Sequence, residues 1–213
     1  MLKKIERAQQ LLKKEAAVFR CPTCHEPMHV EGVGLICQQR HQFDLSKKGT
    51  LYFLNHGVQT EYNKKMFTSR GKMIQSGMYA PVLNKIMHYL PRNKTVVDVG
   101  CGEGSFLAEL SQAGLSGLKI GFDLSKEGIY LASNQPIDAF WCVADLTNLP
   151  FANEGLDTIL NIFSPSHYQE FRRVLKADGT VIKIIPEENY LKELRAAFYP
   201  NDERSEERRV GKE

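Results

Sequence analysis

From position 95 onward, short apolar runs alternate with amphipathic stretches at nearly regular spacing. The runs at 95–100, 117–123, 139–144, 156–163 and 179–185 are bounded by turn residues and rich in β-branched and aromatic side chains, which predicts strands. The stretches at 104–113, 125–134, 167–176 and 189–199 carry helical periodicity. Strand and helix in strict alternation predict a parallel sheet with right-handed crossovers, an α/β fold of Rossmann-like type. The near-absence of polar positions inside the first runs fits strands buried on both faces.

Upstream of position 95 the pattern is different. Leu2, Ile5, Leu11, Leu12 and Phe19 partly follow helical spacing, so residues 1–19 read as an amphipathic helix. Met28 to Ile36 reads as two short strands turned at Glu31 to Gly34. Residues 56–76 are polar and basic, a linker followed by a helix. A further helix runs from Val82 to Tyr89, behind a proline that a helix start tolerates well. Residues 200–213 hold one aliphatic side chain and no period, and are expected to be disordered.

The centre of the pattern is Thr95-Val-Val-Asp-Val-Gly-Cys-Gly-Glu-Gly-Ser-Phe-Leu107. A buried strand passes through three alternate glycines, Gly100, Gly102 and Gly104, into a helix. Such a loop lets the backbone approach a ligand and offers it free N–H groups. The dinucleotide fingerprint G-x-G-x-x-G would need glycine at 105, where Ser105 stands, and no Gly-Lys-Ser/Thr of a Walker loop occurs. The segment Val97 to Gly104 resembles the first motif of the class I S-adenosylmethionine (SAM) methyltransferases. That resemblance implies that Asp98, Gly100, Gly102 and Glu103 line the cofactor. Asp123 ends the second strand, where an acid can accept from both ribose hydroxyls. Asp145 and Leu146 end the third strand, the expected place of the adenine. Asn161, Phe163 and Ser164 end the fourth, beside the transferred methyl, with Asn161 and Ser164 on the edge of an acceptor base and Phe163 stacked on it. Ligands of open α/β sheets bind at these carboxyl ends.

Five cysteines change the picture of the N-terminal part. Cys21, Cys24, Cys37 and His41 follow the spacing C-x2-C-x12-C-x3-H, two short-range pairs separated by a hairpin-sized insert. Three thiolates and an imidazole suit a closed tetrahedral Zn²⁺ site. A unit of this size has little core of its own, so the metal supplies much of its folding free energy. His25 directly follows Cys24 and would crowd the ion, and His29 falls inside a strand; neither is counted as a ligand. Cys101 and Cys142 lack a neighbouring base and read as structural.

Composition adds less. The chain has 213 residues, enough for one full domain and a small one. No apolar run approaches a membrane span and the first residues lack a signal peptide's apolar core, so a cytoplasmic place with no membrane partner is expected. The net charge of +3 is unevenly spread: residues 1–72 carry 13 Lys/Arg against 6 Asp/Glu. A basic N-terminal third on an acidic body suggests a polyanion held from one end, with Lys64, Lys65, Arg70 and Lys72 within reach of phosphates.

The run Cys21-Pro-x-Cys24 … Cys37-x-x-x-His41-x-Phe43-Asp44-x-x-Lys47-x-Gly49 resembles the N-terminal zinc module of the bacterial 23S ribosomal RNA (guanine-N1)-methyltransferase family. The likeness runs from about Arg20 to Tyr199. It implies a zinc-binding module at 20–55, a basic linker and helix at 56–76, and a SAM-dependent domain at 77–199. It further implies methylation of N1 of a guanine in a stem-loop of 23S ribosomal RNA, and a homodimer with RNA in the cleft. It places Tyr79 against SAM, and Tyr190 where the family carries a SAM-contacting histidine. The family fold continues into two more strands, so the likeness also implies an incomplete sheet, with foreign or missing sequence from about position 203. Two other readings compete. A small-molecule SAM methyltransferase would share the glycine loop but has no use for a basic zinc module. A non-catalytic, zinc-dependent RNA-binding protein would use the module alone.

Overall fold

The computed structural model describes residues 2–55, 57–58, 62–187 and 189–198; the 200–213 segment lies outside them. The chain opens on α1, Lys4–Glu15, shorter than the 1–19 helix expected. A single 3-10 turn at Ala16–Val18 ends it, and Phe19 then turns extended and bridges to Phe151. The predicted hairpin forms as β1, Met28–Glu31, and β2, Gly34–Cys37. A third strand, β3 at Gln42–Asp44, pairs antiparallel with β2 and closes a three-stranded sheet that the pattern did not announce.

Next comes β4, Thr50–Tyr52, which leaves this small sheet altogether. Then follow α2 (Lys64–Gln75), α3 (Ala80–Tyr89), β5 (Val96–Val99), α4 (Ser105–Gln112), β6 (Lys119–Asp123), α5 (Lys126–Ala132) and β7 (Phe140–Val143). The chain continues with β8 (Leu156–Ile162), α6 (Tyr168–Val174), β9 (Leu175–Ile184) and α7 (Lys192–Phe198). The main sheet has the order β4-β7-β6-β5-β8-β9, with every pairing parallel. The alternating pattern thus gave the parallel α/β sheet, but with six strands where five were expected. The sixth comes from the zinc-binding half: Thr50, Leu51 and Tyr52 pair with Trp141, Cys142 and Val143. β9 begins four residues early, directly at the end of α6, because Leu175 pairs with Leu156 before a register shift.

The shared core explains why the two halves are one body. Phe19 packs edge-on to Phe140 at 5.1 Å and lies 5.7 Å from Phe53 and 5.9 Å from Phe151. Phe43 of the small sheet reaches Phe53 at 5.1 Å. Leu51, Phe122, Phe140 and Phe151 are at most 2% exposed, so this face of the sheet is covered by α1 and the zinc-binding half. On the other face Trp141, Val96, Leu107 and Ile129 pack beneath α2 to α5. Cys101 on this face and Cys142 on the other are both buried with their thiols pushed up by burial, which fits the structural role expected. No helix among the described residues is long and apolar enough to cross a membrane.

Candidate functional site

The four spaced ligands meet. One donor atom from each of Cys21, Cys24, Cys37 and His41 lies within 4.8 Å of all the others. The Sγ atoms of Cys24 and Cys37 are 3.5 Å apart, and His41 Nδ1 stands 3.4 Å from Cys37 Sγ and 3.6 Å from Cys21 Sγ. A tetrahedral ion with Zn–S bonds near 2.3 Å puts its sulfurs about 3.8 Å apart, so the set fits zinc with little movement. Tight turns aim the ligands. His25 N–H donates to Cys21 O and Arg40 N–H to Cys37 O, with His25 and Arg40 both at positive φ. Burial pushes the Cys37 thiol up. The backbone N–H of His41 and the bonds from Cys24 and His41 outweigh it and leave the thiol at about 7. His25 and His29 are exposed, outside the cluster. The Asn148 amide donates to Pro22 O at 2.8 Å and Arg20 N–H to Pro150 O, which pins the first knuckle to the loop after β7.

The glycine loop leaves β5 at the carboxyl end of the main sheet. Gly100 has φ +67°, and a Cβ there would lie 2.7 Å from Ser164 Cβ. Gly102 has φ +57°, and a Cβ there would run into the Arg70 guanidinium and the Phe67 ring. Both positions require glycine for conformation and for space. Asp98 is 2% exposed and its Oδ2 has no hydrogen-bond partner among the described residues; the same holds for Oε1 of buried Glu103. Burial pushes the Asp98 carboxyl up to about 7, with Glu103 and Asp123 adding to the shift and Arg70 opposing it. Two orphaned carboxylate oxygens beside the glycine loop fit a ligand carrying a cationic group, as SAM does. Asp123 accepts from Gly102 N at 2.9 Å, from Ser125 N at 2.7 Å and from the backbone N–H of Leu124, which holds its carboxylate fixed at the end of β6.

The rest of the expected set divides. Tyr79 caps α3 and its hydroxyl meets that of Tyr190 at 2.6 Å, so α3 and the loop before α7 close on each other. Phe163, at φ +54°, lies between these rings, 5.9 Å from Tyr79 and 5.5 Å from Tyr190. Ser164 donates to Val99 O at 2.6 Å. The Asn161 amide is wholly engaged: Nδ2 donates to Ser164 Oγ and Pro165 O, and Oδ1 accepts from Ser166. At 0% exposure it shapes the 163–166 loop and presents nothing outward, contrary to the expected base contact. Asp145 turns back to cap its own loop at Thr147. Leu146 is partly buried against the core that the sheet shares with the zinc-binding half.

One residue of the site was read differently from sequence. Arg70 does not project to phosphates. α2 lies across α4 and α5, and Arg70 Nη1 pairs with Glu103 Oε2 at 3.3 Å over the Phe106 ring at 5.3 Å. Its signal was available: Phe67, Gly71 and Ile74, at 3- and 4-residue spacing, mark the buried face of α2.

A strand, a glycine loop and an acid ending the neighbouring strand of a parallel sheet, joined to a Cys₃His module, define a SAM-dependent methyltransferase with a zinc ribbon. The family model "Methyltransferase domain" matches residues 96–179, and "RlmA, N-terminal", a zinc ribbon, matches 19–55. The Bacillus subtilis protein YxjB, named for 23S rRNA (guanine-N(1)-)-methyltransferase activity, is 41% identical over 200 residues, 88% of this chain and 71% of that protein. The chain belongs to the 23S rRNA (guanine-N1)-methyltransferase family. The 23S rRNA (guanine(748)-N(1))-methyltransferase of Streptomyces fradiae is 28% identical, over 85% of this chain and 68% of its own length. A Methanococcus maripaludis structure described as a SAM-dependent methyltransferase shares the fold, at TM-score 0.53 and 17% identity over 68% of this chain and 76% of that one.

Proposed function

We propose that this chain transfers a methyl group from SAM to N1 of a guanine in a stem-loop of 23S ribosomal RNA. The observation that carries the proposal is β4, through which a zinc ribbon of the rRNA-methylating family becomes an edge strand of the sheet that bears the glycine loop. A ribbon so joined is part of the enzyme, which favours a large substrate over a small one.

In this reading Asp98 faces the ammonium of SAM and Arg70 its carboxylate, while Asp123 accepts from the ribose. Gly100 and Gly102 admit it, and Glu103 holds Arg70 in place. Tyr79 and Tyr190 close over it, with Tyr190 standing where the family has histidine. Bound SAM would supply a methyl already electrophilic on a sulfonium and leave as S-adenosylhomocysteine, while the guanine gives up its N1 proton to solvent; the protein's chief work is then alignment. Phe163 offers its ring to the guanine, and Asn161 and Ser164 fix the loop that aims it. N1 lies on the Watson–Crick edge, so the base must be unpaired or drawn from its stack. The homodimer and the cytoplasmic location belong to the same proposal.

Reverse transcription across 23S rRNA incubated with enzyme and SAM tests it, since an N1 methyl blocks pairing. An enzyme-dependent stop at one guanine is expected. Transfer to small acceptors alone, or a stop at another base, overturns the assignment.

A further inference from the structure

A cavity of about 330 Å³ lies between α1, the 46–49 turn and the 133–141 segment, with the glycine loop on the far side of its lining residues Gln135 and Trp141. Four cations line it, Lys4, Arg7, Lys14 and Lys48, against one acid, Asp138. Asp138 pairs with Arg7 at 3.6 Å while 78% exposed, so it screens little of that charge. Arg7 Nε is buried and has no hydrogen-bond partner among the described residues. Lys4 donates to Asn134 Oδ1, a neutral group. Burial, and then the charges of Lys48 and Arg7, lower its pKa. Cations crowded in this way are stabilised by a further anion, since Asp138 is the one acid that the described residues bring to the cavity.

The same edge of the sheet carries a second feature. Lys48 Nζ stands 5.2 Å over the Tyr130 ring, and Lys126 Nζ stands 5.9 Å over the Tyr52 ring. Lys126 and Tyr130 are one turn apart on α5, so the two lysine–tyrosine pairs sit about 6 Å from each other along that helix. Tyr130 is 47% exposed and Tyr52 37%. Cations interleaved with aromatic faces are what a strand of nucleic acid needs, phosphate contact and stacking together. The row ends at Lys126, three residues after Asp123 at the mouth of the cofactor site.

We infer that the β4–α5 edge is an RNA track: the Lys4–Arg7–Lys48 cavity takes a backbone phosphate, and the Tyr130 and Tyr52 pairs guide the strand towards the glycine loop. This rests on the rRNA reading above, and it moves the main phosphate contacts off α2, where the sequence suggested them. Lys64, Lys65 and Lys72 remain exposed on α2, and they supply the comparison.

The test is binding of full-length chain to in vitro transcribed 23S rRNA across a salt series. Two triple variants are compared with wild type: Lys4→Gln/Arg7→Gln/Lys48→Gln and Lys64→Gln/Lys65→Gln/Lys72→Gln. Zinc content and SAM affinity are measured on each to establish that it folds. The edge variant is expected to lose at least tenfold in affinity and to show a log–log salt slope shallower by about 2, as loss of three contacts to single strands implies. SAM affinity should be unchanged. Photo-crosslinking of wild type to 4-thiouridine-substituted RNA should label the peptide containing Tyr130. An unchanged slope in the edge variant overturns the track, as does loss confined to the α2 variant. Inorganic phosphate that raises the melting temperature of wild type only, while RNA binding is indifferent to the edge, makes the cavity a small-anion site and overturns it too. Failure of the methylation reading shows separately, as wild-type binding without an enzyme-dependent stop.

Discussion

The zinc cluster and the glycine-loop site are both pockets of negative or ionisable groups shaped for something positive, yet they are supported in opposite ways. The cluster hangs on two tight turns and a three-stranded sheet whose strands are three or four residues long. Without an ion, its sulfurs have each other, one imidazole and a few backbone N–H groups, none of them a full positive charge. The glycine loop is backed by β5, central in a six-stranded sheet and buried along its whole length. Its orphaned carboxylates are a local cost that a large core absorbs. The same deficit of positive charge therefore controls folding in one site and ligand affinity in the other.

Removing zinc should expose that contrast most strongly. Cys37→Ser, or a strong chelator, should abolish stoichiometric zinc and unfold the ribbon, since metal binding free energy there is folding free energy. The effect should spread, because Phe19, Phe43 and Phe53 share their core with Phe140 and Phe151. A drop in the melting temperature of the whole chain is expected by calorimetry. Two separate transitions, with the second unmoved, would show that the halves are independent bodies. Phe19→Ala attacks the joint directly and should cost about 3–5 kcal/mol with zinc still bound.

The opposite behaviour is expected at the loop. Asp98 holds its proton up to about 7 when folded, against about 4 unfolded. The folded chain thus binds more protons between these values, and stability is lost as pH rises from about 4 to about 7. Asp98→Asn removes that loss. Its stability relative to wild type should climb across this window and plateau above it, by about 2–4 kcal/mol. SAM affinity should fall at the same time. Parallel melting curves for the two proteins at pH 4.5 and pH 8 would show that Asp98 is solvated or paired.

What the sequence made legible follows the same division. Local signals carried far: the glycine spacing placed the loop, and the C-x2-C and C-x3-H pairs placed the cluster, because each depends on a few consecutive residues. Long-range pairing did not. β4 is three residues long and its partner β7 lies some ninety positions on, so no periodicity marks it. Asn161 was misread because its amide is consumed by Ser164, Pro165 and Ser166 in a loop whose shape no spacing predicts. Arg70 was misread because a cation in a basic stretch looks solvated until the apolar face of its helix is placed.

Arg70 offers the finest test of the contrast, because it bears on ligand alone. It is 28% exposed and its partner Glu103 5%. Arg70→Gln leaves Glu103 with an amide to bond, so folding should change little. The carboxylate end of SAM would lose a charge-assisted partner worth about 1.5–3 kcal/mol. The comparison ligand is 5′-methylthioadenosine, which keeps the nucleoside and the thioether but has no amino-acid end. Calorimetry should show weakened binding of S-adenosylhomocysteine and unchanged binding of methylthioadenosine. Equal weakening of both would mean that Arg70 holds α2 over the loop as a strut, and that the carboxylate is held elsewhere. Equal affinity for both in wild type would remove the amino-acid end from this pocket altogether, and with it the reason for two orphaned carboxylates beside the glycines.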